Sequence, residues 1–343
     1  MTEYKLAFLG FGNVGQALAR LLLSKREQLQ NAYDLAFSVT GIATSRHGMA
    51  IDPRGMALES ALELMRTKAR LEALSTISPT PGPEEFIRNC GTDVLFESIP
   101  VNYTDGQPAV DYLRLALQTG MHAISANKGP VVHAYQELTQ LAHAQGRKYY
   151  FESAVMDGAP IFSLFRASLP AIHLQRFTGI LNSTTNLVLT RMEGGESLEQ
   201  AIAYAQSIGI AETDPSGDID GWDAAVKTAA LVTVLMDAPL KPFQVERTGI
   251  RGLTSSSIQD ALKLGKRWKL VCTARREGEE VFARVKPELV GPDSPLYGVN
   301  GTSSIVTFET DVLPALSIVE GNPGTDTTAY GLLADFINAT RQG

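Results

Sequence analysis

Apolar and polar positions alternate in two different ways along the first 150 residues of this 343-residue chain. The short apolar run at 4–9 ends in glycines and predicts a strand, whereas Val14, Leu18, Leu21 and Leu22 recur at helical spacing. The same contrast predicts further strands at 35–43, 93–97, 122–125 and 148–151, and further helices at 109–118 and 131–144. Strands that alternate with helices at this spacing indicate a parallel, doubly wound α/β sheet.

The pattern changes after residue 151, where helical spacing becomes more frequent. Helices are predicted at 196–208, at 222–236 and from Ile258, strands at 269–273, 282–285 and 304–308, and a last helix at 327–339. The Pro-rich stretch 76–85 is predicted to be a loop. We therefore expect two domains, a doubly wound one formed by residues 1–150 and 310–343 and an α+β one formed by residues 151–309.

Composition and charge argue against several classes of protein. The chain is 44% hydrophobic and 20% charged, with a net charge of -7, which does not suggest a nucleic-acid or anionic-membrane surface. No apolar run approaches the roughly 20 residues of a membrane span, and the N-terminus lacks the features of a signal peptide. Cys90 and Cys272 have neither zinc-site nor disulfide-framework spacing. We expect a cytoplasmic protein with no nucleic-acid or membrane partner.

A glycine-rich loop follows the first predicted strand and opens the first predicted helix. It places Gly10, Gly12 and Gly15 in the G-x-G-x-x-G spacing, with Asn13 and Val14 between the last two. The glycines allow a tight turn and a close approach of the backbone to a pyrophosphate, which the helix N-terminus then faces. The bare pattern also occurs in ligand-free turns, but its strand–helix context favours a Rossmann-type dinucleotide site.

The end of the second strand bears on the choice between NAD and NADP. An acidic residue there binds the ribose 2′-hydroxyl in NAD sites, but Asp34 precedes the predicted strand. The strand ends instead at Thr44, Ser45 and Arg46, and the arginine could meet a 2′-phosphate. The sequence therefore favours NADP over NAD, with an exposed loop cation as the alternative role of Arg46.

Polar residues follow three later strands at the edge where open α/β sheets bind ligands. Ser98 follows the strand at 93–97, Lys128 follows the next, and Glu152 follows the third. A lone cation at this edge could hold a carboxylate or polarise a carbonyl, so we expect a functional role for Lys128 rather than that of a surface lysine.

Five acids and one lysine lie close together in the stretch from Ala211 to Leu231. They are Glu212, Asp214, Asp218, Asp220, Asp223 and Lys227. The last two are four residues apart on a helix whose following turns are apolar, so they share one face of a largely buried helix. Such a lysine is suited to proton transfer, whereas a surface ion pair is the alternative. An EF-hand does not fit, because its glycine and closing glutamate are missing.

The chain resembles the homoserine dehydrogenases. The resemblance covers nearly the whole chain and is carried by an ordered set of motifs: GFGNVG, SANKGP, FESAVMDGAPIF, GILNSTTN, IGIAETDPSGDIDGWDAAVK, SPLYGVNG and GNPGTDTTAYGLLADF. The block from Gly209 to Lys227 is the most specific of them. The resemblance implies NADPH- or NADH-dependent reduction of L-aspartate 4-semialdehyde to L-homoserine, on the way to threonine and methionine.

The resemblance also implies roles for individual residues. Lys227 is similar to the acid/base lysine, and Lys128 to a second lysine beside both substrate and nicotinamide. Glu212, Asp223 and Asp218 resemble the acids of the substrate pocket. Further residues carried over are Thr184 for substrate binding, Gly10, Gly12, Asn13, Val14, Gly15, Arg46, Ser98, Gly209 and Gly324 for the cofactor, and Glu152 with the carbonyls of Val155, Asp157 and Ala159 for a monovalent cation, expected to be Na⁺.

Three departures from the family pattern stand out. Asp157 adds a carboxylate to the cation segment, Ser183 replaces the more usual glycine, and GNPGTDTTA replaces a glycine-rich run. Because the chain stops at Gly343, we expect a short form without the C-terminal ACT domain of longer homologues. The second domain is expected to bind substrate and form a homodimer. A reductase of another amino or oxo acid, and a non-catalytic dinucleotide-sensing protein, are the alternatives.

Overall fold

The computed structural model describes residues 2–78 and 81–341 and divides into two compact units. The first comprises Met1–Pro160 and Gly324–Gly343, and the second comprises Ile161–Pro323. Both boundaries lie later than those expected at 150 and 310. The second does so because the strand Leu316–Glu320 pairs with Ser304–Thr310 in the sheet of the second unit. No helix of the described ranges is long and apolar enough to cross a bilayer.

The secondary structure comprises twelve strands and twelve α-helices in the described chain. The strands are β1 (Thr2–Leu9), β2 (Leu35–Ala43), β3 (Met49–Met56), β4 (Val94–Glu97), β5 (His122–Ser125), β6 (Tyr149–Tyr150), β7 (Leu174–Ile180), β8 (Glu246–Arg247), β9 (Arg267–Glu277), β10 (Glu280–Val290), β11 (Ser304–Thr310) and β12 (Leu316–Glu320). The helices are α1 (Asn13–Ser24), α2 (Arg26–Tyr33), α3 (Leu58–Arg66), α4 (Pro83–Asn89), α5 (Ala109–Gln118), α6 (Lys128–Ala144), α7 (Ser183–Glu193), α8 (Leu198–Ser207), α9 (Ser216–Ile219), α10 (Trp222–Leu235), α11 (Ser255–Lys263) and α12 (Thr325–Thr340).

The sheet of the first unit has the order β3-β2-β1-β4-β5-β6. The neighbours from β2 to β6 are parallel, which confirms the doubly wound, Rossmann-type prediction. At the edge, however, β3 runs antiparallel to β2, so the sheet is not parallel throughout. The carboxyl ends of β1, β2, β4 and β5 therefore meet at one edge of the sheet.

The last helix belongs to the first unit because its apolar face packs into that core. Phe336 of α12 lies edge-on to Phe96 of β4, with ring centroids 6.0 Å apart. The same helix also meets the segment after β6 closely, since a Cβ added to Gly158 would lie 2.3 Å from the carbonyl oxygen of Thr327. These contacts show why the chain returns to the first unit after completing the second.

The sheet of the second unit has the order β12-β11-β7-β9-β10-β8. All its pairs are antiparallel except β8 with β10. Helices α7, α10 and α11 contact its central strands, and α10 is buried along most of its length. This arrangement confirms the α+β prediction for the second part of the chain.

One predicted loop is partly helical. Within 76–85, Pro83 begins α4, where proline is tolerated because the first helical N–H needs no partner inside the helix. Pro79 and Thr80 of that stretch lie outside the described residues.

Candidate functional site

The glycine loop joins β1 to α1 through close backbone approaches that leave no room for a side chain at two of its glycines. Gly10 has φ +101°, and a Cβ there would lie 2.7 Å from the backbone of Ser98. At Gly15 an added Cβ would lie 2.6 Å from the Gly10 carbonyl oxygen. Gly12 is the N-cap of α1, and among the described residues nothing beyond its own chain neighbours lies within 4 Å of where its Cβ would be. The helix N-terminus at Asn13 therefore faces space that suits an anion.

The turn after β2 carries an exposed cation, and an acid from another segment packs against the turn. Arg46 is exposed in this turn, which is closed by a hydrogen bond of 3.0 Å from the Thr44 N–H to the Gly48 carbonyl. The carboxylate of Glu72 packs on Gly48, where an added Cβ would lie 2.0 Å from it. Glu72 comes from a short 3₁₀ helix and was missed by sequence reasoning. Asp34 lies before β2, at the end of α2, as the sequence indicates.

The ends of β4 and β5 meet at the ligand edge of the first sheet. The Ser98 hydroxyl donates to the Gly10 carbonyl at 3.1 Å, which joins the end of β4 to the glycine loop. Asn127 caps α6 by accepting from the Gly129 N–H at 2.9 Å, and Lys128 is the half-buried first residue of that helix. The last residue of β4, Glu97, is fully buried and was also missed by sequence reasoning.

The second unit contains a hydrogen-bonded cluster of Asn182, Asp218, Asp223 and Lys227. The Asn182 side-chain amide donates to Asp218 Oδ1 at 2.6 Å and to Asp223 Oδ2 at 3.0 Å. Lys227 Nζ lies 2.9 Å from Asp223 Oδ2, as the four-residue spacing on α10 predicts, and donates to the Leu181 carbonyl at 2.8 Å. The end of β7, the short helix α9 and one face of α10 thus bring the four side chains together.

Electrostatics at this cluster favour a cationic ligand. Burial raises the pKa of Asp218, and the nearby charge of Asp223 raises it further, while bonds from Asn182 and Thr184 and the charge of Lys227 oppose the rise. With both acids and the lysine ionised, the cluster carries one net negative charge. An ammonium group bound beside it would balance that charge, and the lysine ammonium can exchange a proton with an oxygen.

The cluster does not include every residue that the sequence singled out. Glu212 is exposed, and its backbone carbonyl accepts from the Gln206 side chain at 3.1 Å. Gly209 ends α8 in a left-handed conformation, φ +75°, donating its N–H to the Gln206 carbonyl, which explains this glycine without a ligand. Gly324, in the first unit, is exposed at the N-cap of α12.

Two of the five acids in the stretch have structural contacts. Asp214 Oδ1 accepts from the Ser216 N–H at 3.0 Å, and so shapes the start of α9. Asp220 pairs with Arg251, and its backbone carbonyl accepts from Arg247. These contacts fix the loop and leave Asp218 and Asp223 as the acids of the cluster.

The segment proposed for a monovalent cation is tightly folded against α12. Glu152 is buried, and its N–H donates to Asp335 Oδ2 at 2.6 Å. Met156 and Asp157 are both left-handed, with φ 53° and 48°, and the Asp157 carboxylate accepts from the Thr328 hydroxyl at 2.8 Å. The extra carboxylate of this chain is thereby engaged by α12.

The donor set of this segment is one carboxylate with backbone carbonyls. No group of three or more His, Cys, Asp or Glu side chains that could hold a metal occurs within residues 2–78 and 81–341. Oxygen donors of this kind fit a hard monovalent cation rather than zinc or another soft metal. The set Glu152, Val155, Asp157 and Ala159 is therefore compatible with such an ion.

Comparisons with known proteins agree with this arrangement. The family model for the homoserine dehydrogenase NAD-binding domain matches residues 10–152, and the homoserine dehydrogenase model matches residues 160–337. The NAD(+)-dependent homoserine dehydrogenase of Pseudomonas canavaninivorans is 34% identical, over 98% of this chain and 96% of that protein. The homoserine dehydrogenase of Methanocaldococcus jannaschii is 32% identical, over 97% of each chain.

Solved structures show the same fold. A hyperthermophilic archaeal homoserine dehydrogenase in complex with NADPH superposes with a TM-score of 0.84 at 28% identity, covering 99% of this chain and 98% of that one. The glycine loop and the cluster on α10 therefore lie in a fold that is shared along nearly the whole chain.

Proposed function

This chain belongs to the homoserine dehydrogenase family, and from that membership we propose how its residues divide the work of the reaction. It is an NAD(P)-dependent oxidoreductase of amino-acid biosynthesis that interconverts L-aspartate 4-semialdehyde and L-homoserine. The observation that carries the assignment of roles is the cluster in which the Asn182 amide donates to Asp218 and Asp223, and Asp223 pairs with Lys227.

Lys227 is the proton donor in the direction of reduction. When bound, the reduced nicotinamide supplies a hydride to the aldehyde carbon, and charge then builds on the carbonyl oxygen. The ammonium of Lys227 donates a proton to that oxygen, and the neutral amine takes the proton back when homoserine is oxidised. Asp223 and the Leu181 carbonyl orient the ammonium, because both are within hydrogen-bond distance of Nζ.

Asp218 and Asp223 bind the amino group of the substrate, with Thr184 and Glu212 as further contacts. The net negative charge of the cluster complements one ammonium group, which an oxo acid lacking an amine would not supply. This complementarity supports an amino-acid aldehyde over a simple oxo acid as the substrate.

The first unit holds the dinucleotide. Its pyrophosphate would lie on the N–H groups at the start of α1, with Gly10, Gly12, Asn13, Val14 and Gly15 forming the turn. The sheet edge adds Ser98 and Lys128, and we assign Lys128 to the charge that develops on the substrate oxygen. Gly209 and Gly324 remain proposed cofactor contacts.

Three further parts of the proposal concern the ion, the assembly and the location. A monovalent cation, Na⁺, is proposed at Glu152 and the carbonyls of Val155, Asp157 and Ala159, and it has no part in proton transfer. We also propose a homodimer, formed through the second unit, and a cytoplasmic location.

Steady-state oxidation of L-homoserine, with NADP and NAD in parallel, tests the function. We expect reduced nucleotide to accumulate with L-homoserine, and much less with analogues that lack the amino group. Turnover of another hydroxy acid, with none of L-homoserine, would instead identify a related reductase. Nucleotide binding without turnover of any such substrate would identify a sensing protein.

Replacing Arg46 tests the cofactor preference. We expect Arg46→Ala to raise KM for NADP by about tenfold and leave KM for NAD nearly unchanged, because only NADP carries the 2′-phosphate. Glu72→Gln should lower KM for NADP, since it removes a carboxylate beside the same turn. Arg66→Ala, an exposed arginine paired with Glu63 on α3, is the control. Equal changes in both KM values after Arg46→Ala would contradict the preference.

A further inference from the structure

We propose that Glu97 is a positioning residue, which fixes the loops after β4 and β5 and thereby the nucleotide-binding edge and Lys128. The inference extends the proposed function, since it takes the first unit to hold the dinucleotide. Glu97 itself is buried behind these loops, with none of its surface exposed, so it acts through the groups that it binds.

Three donors converge on the Glu97 carboxylate. Oε1 accepts from the Ile99 N–H at 2.9 Å and from the Asn127 amide at 3.3 Å, and Oε2 accepts from the Ser125 hydroxyl at 2.5 Å. Ser125 in turn accepts from the Asn127 N–H at 3.0 Å. One side chain on β4 therefore connects its own loop to the end of β5.

Each connection leads to a group proposed to meet the nucleotide or the substrate. The bond to Ile99 fixes the backbone around Ser98, which is packed on Gly10 of the glycine loop. The bond to Asn127 orients the amide that caps α6, and Lys128 is the first residue of that helix. A change at Glu97 should therefore displace both sides of the ligand edge while leaving the sheet intact.

The protonation state of Glu97 determines how many of these bonds can form. Burial raises its pKa to about 7, against the opposing effect of its bonds from Ser125, Ile99 and Asn127. The titratable group that faces it from β6 is the buried Tyr149, whose own pKa is raised by burial and by Glu97. Below pH 7 the carboxyl carries a proton of its own, which competes with three donors for two oxygens.

Nucleotide affinity as a function of pH tests the proposal. In the wild-type protein, the Kd of NADPH and NADH, followed by nucleotide fluorescence, should rise as the pH falls through about 7. Glu97→Gln keeps the size of the side chain but replaces one acceptor oxygen with an NH₂ group. This group cannot accept from Ile99, Ser125 or Asn127. We expect it to raise Kd by about tenfold above pH 7 and to match the wild type below it.

A second variant tests the same connection with Glu97 left in place. Ser125→Ala removes a bond that lowers the pKa of Glu97, so weak binding should persist to higher pH than in the wild type. Asp93→Asn is the matched control, because Asp93 accepts from the Lys5 N–H at 2.8 Å beside the other end of β4. It should bind nucleotide like the wild type at every pH.

The outcomes separate this proposal from the proposed function. A Kd for Glu97→Gln equal to that of the wild type above pH 7, or a Ser125→Ala profile that does not move, would overturn the positioning role. Failure of the proposed function would appear differently. The pH profiles of nucleotide binding would then be those predicted above, but no protein would turn over L-homoserine. Should Glu97→Gln not fold, the Ser125→Ala profile decides alone.

Discussion

Lys227→Ala is expected to lower kcat for L-homoserine oxidation by about a thousandfold, the usual contribution of a positioned acid–base group. The Lys227 side chain projects from a buried helix face, and Asp223 and the Leu181 carbonyl hold its ammonium group. The proposed mechanism assigns the transferred proton to no other group. Nucleotide binding should be retained, because the glycine loop belongs to the other compact unit. Steady-state kinetics, with nucleotide fluorescence as the binding measurement, checks both parts.

Two variants show that the effect is specific to this lysine. Lys227→Arg keeps the positive charge but holds its protons too firmly to exchange them near neutral pH, so it should remain nearly as slow as the alanine variant. Lys263→Ala removes a lysine that also pairs with a nearby acid, Asp260, but is exposed on α11, and should leave kcat unchanged. A Lys227→Ala enzyme within a few fold of the wild type would rule out the acid–base role and favour a non-catalytic protein.

Asn182→Asp is expected to lower kcat/KM for L-homoserine by about a hundredfold. The exchange preserves shape and the cap of α7, where the side chain accepts from the Thr185 N–H at 2.8 Å. It removes, however, the amide that donates to Asp218 and Asp223, and it adds a third carboxylate beside them. The acids should then repel one another, protonate at higher pH, and bind the substrate amine in the wrong geometry.

The contribution of the lost donors can be separated from that of the added charge. Asn182→Ser also retains a cap oxygen, replaces the two amide donors with one shorter hydroxyl donor and adds no charge, so it should be intermediate in kcat/KM. Ser197→Asp makes a comparable exchange at the cap of α8, and there we expect wild-type activity. Thermal unfolding and circular dichroism establish that each variant folds. Full activity of Asn182→Asp would show that the amide does not organise the acids.

Local patterns were sufficient to predict the framework of the first unit. Apolar runs of 4–9 residues between amphipathic helices placed β1, β2, β4, β5 and α5 close to their observed bounds. Strand β3 was missed because Pro53 and Gly55 interrupt its pattern, and both are tolerated only because it lies at the sheet edge. Helix α2 was missed because most of its residues are polar and its few apolar positions give no clear helical pattern.

The candidate site was predictable only where its members are close in sequence. Asp223 and Lys227 follow from the helical period alone, and the glycine loop from its spacing after a strand. Asn182 meets Asp218 and Asp223 across 36 and 41 positions of the chain, which no local pattern reveals. Glu97 ends an apolar strand, where a single acid is normally exposed, and only the converging donors show that it is buried.

The burial of Asp218 beside a second acid sets stability against the proposed function at this position. Asp218 is held partly buried near a like charge, which raises its pKa, so the second unit would be more stable with a neutral residue in its place. Selection for stability alone would therefore favour asparagine at 218, whereas the proposed binding of the substrate amine would favour aspartate. A stabilised variant obtained by screening for heat resistance would be expected to lose its activity first at this position.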